Sequence, residues 1–240
     1  MAKIRPTQWI GLVIVILAIA SLYLINRPYL KEIGIINLDS SKERWSALQP
    51  ELTAIPYPVR RFSAIDGRKM TEQQFEAAGI PYLLWPAQAD EQIKKKRAGE
   101  IGCYLSHRTL IQQFGSGWAA PNAGHLVLED DVTVVKDAAP KLEAALKALP
   151  SNWDILCIGI GHSTLDEPKN GLARVRKFWG TYAYIVRHGS IPKIMDRIQV
   201  MNNPIDDMLS DSKNLVIYAM QPPIVNFRLQ AYSEIQQKVT

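Results

Sequence analysis

From residue 33 onward, short apolar runs alternate with polar, turn-rich segments. Ile33 to Leu38 has the continuous apolar character of a buried strand. Val59 to Ile65, His125 to Leu128, Trp153 to Ile160, Ala173 to Val175, Tyr182 to Val186 and Val216 to Met220 read as further strands. Asp39-Ser40-Ser41 offers an N-cap for a helix from Lys42 to Leu52, which Pro56 and Pro58 bring to an end. Thr71 to Ala78 reads as a short helix closed by Gly79. Ile101 to Phe114, Ala138 to Leu149, Ser190 to Ile198 and Ile205 to Leu209 carry the remaining helical patterns, while Pro81 to Lys96 lacks periodicity and reads as a loop. Strands alternating with helices predict an α/β layered domain with a mostly parallel sheet. In such sheets ligands bind beyond the carboxyl ends of the strands.

The N-terminal stretch follows a different pattern. No charge occurs from Pro6 to Asn26, and Trp9 to Ile25 is almost wholly apolar. As a helix this run would span roughly 26 Å, just enough for a bilayer core. It predicts a membrane anchor over 9–25, preceded by a flank over 1–8 and joined by a linker over 26–32 to one domain over 33–240. Arg27, Lys31, Lys42 and Arg44 follow the run and outnumber Lys3 and Arg5 before it. That bias predicts a single-pass protein of the inner or plasma membrane, with its domain on the cytoplasmic side. The absence of any Asn-x-Ser/Thr acceptor agrees, as does the presence of only Cys103 and Cys157, too few for a disulfide framework.

With 47% apolar residues in 240, a substantial core is available. The net charge of +5 favours anionic partners, but no basic repeat or recognition helix accompanies it, so nucleic acid is not an expected partner. No Cys/His spacing of the metal-ligand type stands out, which argues against a zinc site. Oligomeric state is not legible.

Chemistry concentrates at the predicted strand ends. Leu126-Val127-Leu128 runs into Glu129-Asp130-Asp131 before Val132 resumes the apolar pattern. Three adjacent carboxylates repel one another, and a hard divalent cation shared with a phosphate would hold them together; an acidic solvated turn is the plainer reading. Asn37-Leu38-Asp39 lies at another strand end, with Arg44 on the following helix offering a planar fork for carboxylate or phosphate. Asp66-Gly67 ends a third. Gly99, Glu100 and Gly102 precede Ser106 and His107, an arrangement that suggests a helix start whose free N–H groups attract anions. The basic run Lys94 to Arg97 reads as a solvated face or as a contact for anionic lipid or a phosphorylated saccharide.

Taken in order, I-I-N-L-D-S-S-K-E-R, R-F-S-A-I-D-G, G-E-I-G-C-Y-L-S-H, L-V-L-E-D-D-V, G-T-Y-A-Y-I-V, P-I-D-D-M-L and the closing Q-P-P-I-V…Y-S-E-I resemble glycosyltransferase family 25. That family includes bacterial lipooligosaccharide galactosyl- and glucosyltransferases and the collagen galactosyltransferase domain. The resemblance runs from about Ile33 to Ile235. It implies an A-type glycosyltransferase fold and a metal-dependent, inverting transfer of a hexose, galactose before glucose, from a UDP-sugar to a saccharide or glycolipid acceptor in lipopolysaccharide or other cell-surface glycan synthesis. On that reading Asp131 and Glu129 hold manganese or another divalent cation. Asn37, Asp39, Arg44, Asp66, Gly67, Gly99, Glu100, Gly102, Ser106, Glu129 and Asp130 line the UDP-sugar site. Asp206 or Asp207 is the base that takes the acceptor proton, with His107 behind them. The alternatives are an inactive carbohydrate-binding or scaffold protein on the same fold, and a metal-dependent phosphodiester- or nucleotidyl-transfer enzyme.

Overall fold

A computed structural model describes residues 27–81, 89–210 and 214–228, together with Val13 and Val15. Strand β1 (Tyr29–Asn37) leads into helix α1 (Lys42–Leu48) and a 3₁₀ segment (Gln49–Ala54). Next come β2 (Val59–Ser63), a 3₁₀ turn (Gly67–Lys69), α2 (Glu72–Ala77) and the long α3 (Glu91–Ser116). The order continues through β3 (Ala123–Glu129), β4 (Val132–Val134), α4 (Ala138–Ala148), β5 (Ile155–Gly159), β6 (Ser163–Leu165), β7 (Leu172–Phe178) and β8 (Ala183–Arg187). Helices α5 (Ile191–Arg197) and α6 (Ile205–Ser210) and strands β9 (Ile217–Met220) and β10 (Val225–Phe227) complete the described chain.

The main sheet has eight strands in the order β2-β1-β3-β8-β5-β9-β7-β6, and β4 pairs with β10 in a separate ribbon. Alternation along the strands sends side chains to opposite faces. Ile36, Val127, Cys157, Tyr184 and Ile217 pack on the side of α3, α5 and α6. Ile33, Ile35, Leu126, Leu128, Leu156 and Ile185 pack on the side of α1 and α4. The expected α/β layering is therefore present, with a core on each face of the sheet.

Three expectations need correction. The sheet is mixed, not mostly parallel: β1 runs parallel to β2 and β3, and β5 to β9, but β8 is antiparallel to both neighbours, as β7 is to β6 and β9. An apolar strand buried on both faces reads alike in either direction, so composition cannot reveal the inversion. Second, α3 begins ten residues before the expected Ile101. Asp90 caps it by accepting a hydrogen bond from the Ile93 N–H at 2.8 Å. Lys94 to Arg97 lie in its first turns, where Lys94 pairs with Glu91, and Lys96 and Arg97 pair with Glu100. Third, among the described residues no helix is long and apolar enough to cross a membrane. The anchor expected over 9–25 lies, apart from Val13 and Val15, outside the described residues. The single-pass placement drawn from that run of hydropathy, and the cytoplasmic orientation with it, is withdrawn.

Other local expectations match. Thr71 caps α2 in a reciprocal box with Gln74, and Gly79 follows it in the left-handed region, φ +71°. The first strand starts at Tyr29, inside the expected linker, because Tyr29 and Leu30 already pair with Ala123 and Gly124 of β3.

Candidate active site

Because β1, β2 and β3 are mutually parallel, their carboxyl ends open on one rim, with Asn37 opposite Ser63 and Ile36 opposite Glu129. Strand β8 runs the other way, so the residues that precede it, Gly180 to Tyr182, reach the same rim. The three strand-end motifs singled out in the sequence thus converge as expected. Leu38, Arg44, Asp66, Gly67, Gly99, Ser106, His107, Glu129, Asp130 and Asp131 line one cleft there. A second cleft, about 1100 Å³, holds Glu100, Trp179, Tyr182, Asp206 and Asp207. Cys103, Glu129 and Asp131 border both.

The acidic cluster is held from several directions. Asn37 donates its side-chain amide N–H to Asp130 Oδ2. Arg44 Nε lies 3.3 Å from Asp130 Oδ1, and its Nη1 lies 3.5 Å from Asp131 Oδ2. The planar fork expected of Arg44 for carboxylate or phosphate is thus taken up by carboxylates of β3 and the turn after it. Asp39 points outward, accepting from Arg61 at 2.6 Å and Ser63 at 2.8 Å, and the Arg61 hydrogen bond holds its carboxyl below the usual range. Asp66 is likewise held low, by Arg68 at 2.8 Å.

The electrostatics of Asp130 and Asp131 are opposite to those of Asp39 and Asp66. Burial pushes both carboxyls up, and the neighbouring Glu129 and Asp130 push Asp131 further, to about 7. Asp131 Oδ1 is buried and has no hydrogen-bond partner. An all-oxygen cluster carrying more negative charge than Arg44 neutralises, with one orphaned lone-pair donor, fits a hard divalent cation. Asp131 and Glu129 would hold it, and Asp130 is engaged by Asn37 and Arg44.

Other expected residues take different roles. Gly99 to Gly102 lie inside α3, so their backbone N–H groups are not free for an anion as the expected helix start implied. A Cβ on Gly67 would stand 1.9 Å from the Ala98 carbonyl oxygen, and one on Gly102 would stand 2.5 Å from that of Ile65. These glycines let α3 close directly onto the Ile65–Gly67 turn. Ser106 locks the same contact, accepting from the Ile65 N–H at 2.8 Å and donating to the Gly102 carbonyl at 2.7 Å. Glu100 accepts from Arg97 at 2.7 Å and faces the second cleft. Asp206 accepts from the N–H groups of Gly180 and Asp207, at 3.0 and 2.9 Å, and Asp207 lies 3.6 Å from Lys177 Nζ.

His107 is fully buried, with Nδ1 2.8 Å from the Tyr184 hydroxyl and Nε2 3.3 Å from Glu129 Oε1. Cys103 stands one turn before it on α3, and Cys103, His107 and Glu129 bring ligand-type atoms within 4.8 Å of one another. Sequence reasoning missed this grouping. The i, i+4 spacing of Cys103 and His107 was its only local signal, and Glu129 comes from a strand that packs beside the helix.

Comparison with known proteins bears on what this site belongs to. Residues 30–178 match the model of glycosyltransferase family 25, described as an LPS biosynthesis protein family. Human procollagen galactosyltransferase 2 is 24% identical over 82% of this chain, and a glycosyltransferase 25 family member of Aedes aegypti is 29% identical over 57%. The chain spans 32% and 22% of the lengths of these two relatives. A solved glycosyltransferase involved in glycosylating the major capsid of PBCV-1 aligns at a TM-score of 0.44 with 9% identity, over 88% of this chain and 100% of its own. The family match covers more than half of the sequence, and on it the chain belongs to glycosyltransferase family 25.

Proposed function

We propose that the chain transfers a hexose, galactose before glucose, from a UDP-sugar to a hydroxyl of a saccharide or glycolipid acceptor, with inversion at the anomeric carbon. The observation that carries this reading is the pair of clefts meeting at Glu129 and Asp131. On this reading the first takes the diphosphate beside Arg44 and the acidic cluster, and the other opens beside it with carboxylates of its own. The galactosyltransferase names among the relatives favour galactose, and the family's description favours a lipopolysaccharide-type acceptor.

In the first cleft Arg44 counters charge that develops on the departing diphosphate. Manganese, held by Asp131 and Glu129, would supply Lewis-acid neutralisation of the same two phosphates. Asn37 fixes the Asp130 carboxylate so that Arg44 keeps its orientation. In the second cleft the rings of Trp179, Tyr182 and Phe227 offer apolar faces to a sugar ring. An acceptor hydroxyl is far too weak an acid to ionise unaided, so a carboxylate must receive its proton as the new bond forms. Asp206 or Asp207 takes that role from the wall of this cleft, with His107 as the alternative on the donor side. Lys96, at the same wall, suits an acceptor bearing phosphate or acidic sugar.

The test is a donor screen on the purified chain, reading UDP release with and without manganese. The expected result is manganese-dependent release from one UDP-hexose, lost in Asp131→Ala and lowered in Asp206→Asn or Asp207→Asn. Release of UMP or pyrophosphate instead would identify nucleotidyl or phosphodiester transfer. No manganese-dependent affinity for any UDP-sugar would sink the enzyme reading.

A further inference from the structure

The grouping of Cys103, His107 and Glu129 has a donor set unlike that of the acidic cluster beside it. Glu129, Asp130 and Asp131 offer oxygen alone, the preference of manganese and magnesium. Cys103 and His107 add a sulfur and an imidazole nitrogen, which select borderline cations such as zinc and cobalt. We propose that these three side chains form a second cation site, for a zinc-class ion, sharing Glu129 with the oxygen site but otherwise separate from it.

Several observations point to an ion there. His107 Nε2 is buried and has no hydrogen-bond partner. It stands 3.3 Å from Glu129 Oε1 without forming a hydrogen bond to it. Two ligands bound at ~2.0–2.1 Å in tetrahedral array lie about 3.3–3.4 Å apart, so nitrogen and oxygen already sit at the separation a shared ion would give them. The thiol of Cys103 completes a triangle within 4.8 Å, closed by small side-chain adjustments.

The surroundings also suit a metal ligand. The Tyr184 hydroxyl holds His107 Nδ1 at 2.8 Å, with its ring stacked 5.8 Å away at 11°, so the imidazole cannot swing and Nε2 is the nitrogen presented. Ion binding would release the Cys103 thiol proton to solvent as the sulfur–metal bond forms. Cys103 and Glu129 line both clefts, which leaves a fourth coordination position reachable from solvent, as in zinc sites that bind an exchangeable ligand. Because Glu129 serves both sites, zinc entering here draws it from manganese. Zinc then inhibits hexose transfer, and this one consequence rests on the function proposed above.

The experiment uses the whole metal-free chain titrated with Co²⁺, whose thiolate charge-transfer band reports a sulfur ligand without any sugar nucleotide. The expected result is that band, unchanged in Cys157→Ser, lost in Cys103→Ser and displaced by Zn²⁺. Zinc affinity should fall about tenfold or more in Cys103→Ser and in His107→Gln, while Mn²⁺ affinity, read by electron paramagnetic resonance, holds in Cys103→Ser. Absence of the band in the unsubstituted chain would overturn the site, and so would zinc affinity that is lost in Asp131→Asn but kept in Cys103→Ser. If the band appears but no UDP-sugar binds, the transfer reading fails and the zinc site stands; the reverse pattern separates them the other way.

Discussion

Gly102→Ala and Gly115→Ala make the same change in one helix and should have very different results. Both glycines lie within α3, where alanine gains about 0.8–1.0 kcal/mol of helix propensity over glycine. At Gly115 the added methyl meets a side chain, the Ile191 Cγ2 at 2.9 Å, which yields by a small rotation. At Gly102 it meets backbone on two sides, the Ile65 carbonyl oxygen at 2.5 Å and the Gly67 N at 2.7 Å. Ordinary contact would require α3 to withdraw from the turn by about 1 Å, and forced repacking of that kind costs about 1–3 kcal/mol, here at the upper end because neither atom belongs to a rotamer. After the propensity gain, Gly102→Ala should lose about 2 kcal/mol and Gly115→Ala should stay within about 1 kcal/mol of the parent. Urea unfolding followed by tryptophan fluorescence measures both. The retreat also carries Cys103 and His107 away from Glu129, so donor affinity should fall in Gly102→Ala alone. Equal stability of the two variants would refute the close-approach argument.

Other expected outcomes follow from the charges. An outer partner of a metal ligand is worth about 10–100-fold in affinity, so Asp131→Asn should lower manganese-dependent UDP-sugar binding by at least about 100-fold in titration calorimetry. The same variant should raise the urea midpoint of the metal-free protein, since it removes one of three crowded carboxylates. Arg44→Ala strips the cation from Asp130 and Asp131 and should cost about 3 kcal/mol, with manganese raising its midpoint more than the parent's. Burial holds His125 neutral, its pKa lowered from 6.5 to about 4 against the pull of Glu32, while His188 and Lys31 add to the lowering. Between those values the unfolded chain binds a proton that the fold excludes. The His125 contribution should therefore be intact above pH 6.5 and be lost toward pH 4, by about 3 kcal/mol at ~1.4 kcal/mol per pH unit, while Asp131, raised to about 7, contributes in the opposite sense over the same range. The difference between parent and His125→Gln in a urea series across that range isolates the histidine, and the variant should gain on the parent as pH falls.

The longer buried strands were legible as short apolar runs bounded by Pro, Gly or acids, as at Leu126 to Glu129, whereas the three-residue strands β4, β6 and β10 are too short to show a period. Strand direction was not, since β8 lies between β3 and β5 although its sequence neighbour is β7. The start of α3 was hidden by Lys94 to Arg97 and by two glycines, which break an amphipathic pattern without breaking the helix. In the site, convergence of Asn37, Asp66 and Glu129–Asp131 was readable from their places at strand ends. Partner choice was not: Arg44 bonds β3 and not Asp39, because only the fold decides which carboxylate lies under the guanidinium. Apolar length alone suggested an anchor, and no described helix bears it out.

The helix that closes onto the Ile65–Gly67 turn runs past both chambers as a single rod. Lys96 and Glu100 meet only the outer chamber, whereas Gly99, Ser106 and His107 meet only the inner one. The lining of the outer chamber can accordingly change at Lys96 and Glu100 while the buried glycine seam and the inner chamber stay in place. On the function proposed above, a lineage could change its acceptor in this way without rebuilding the donor end.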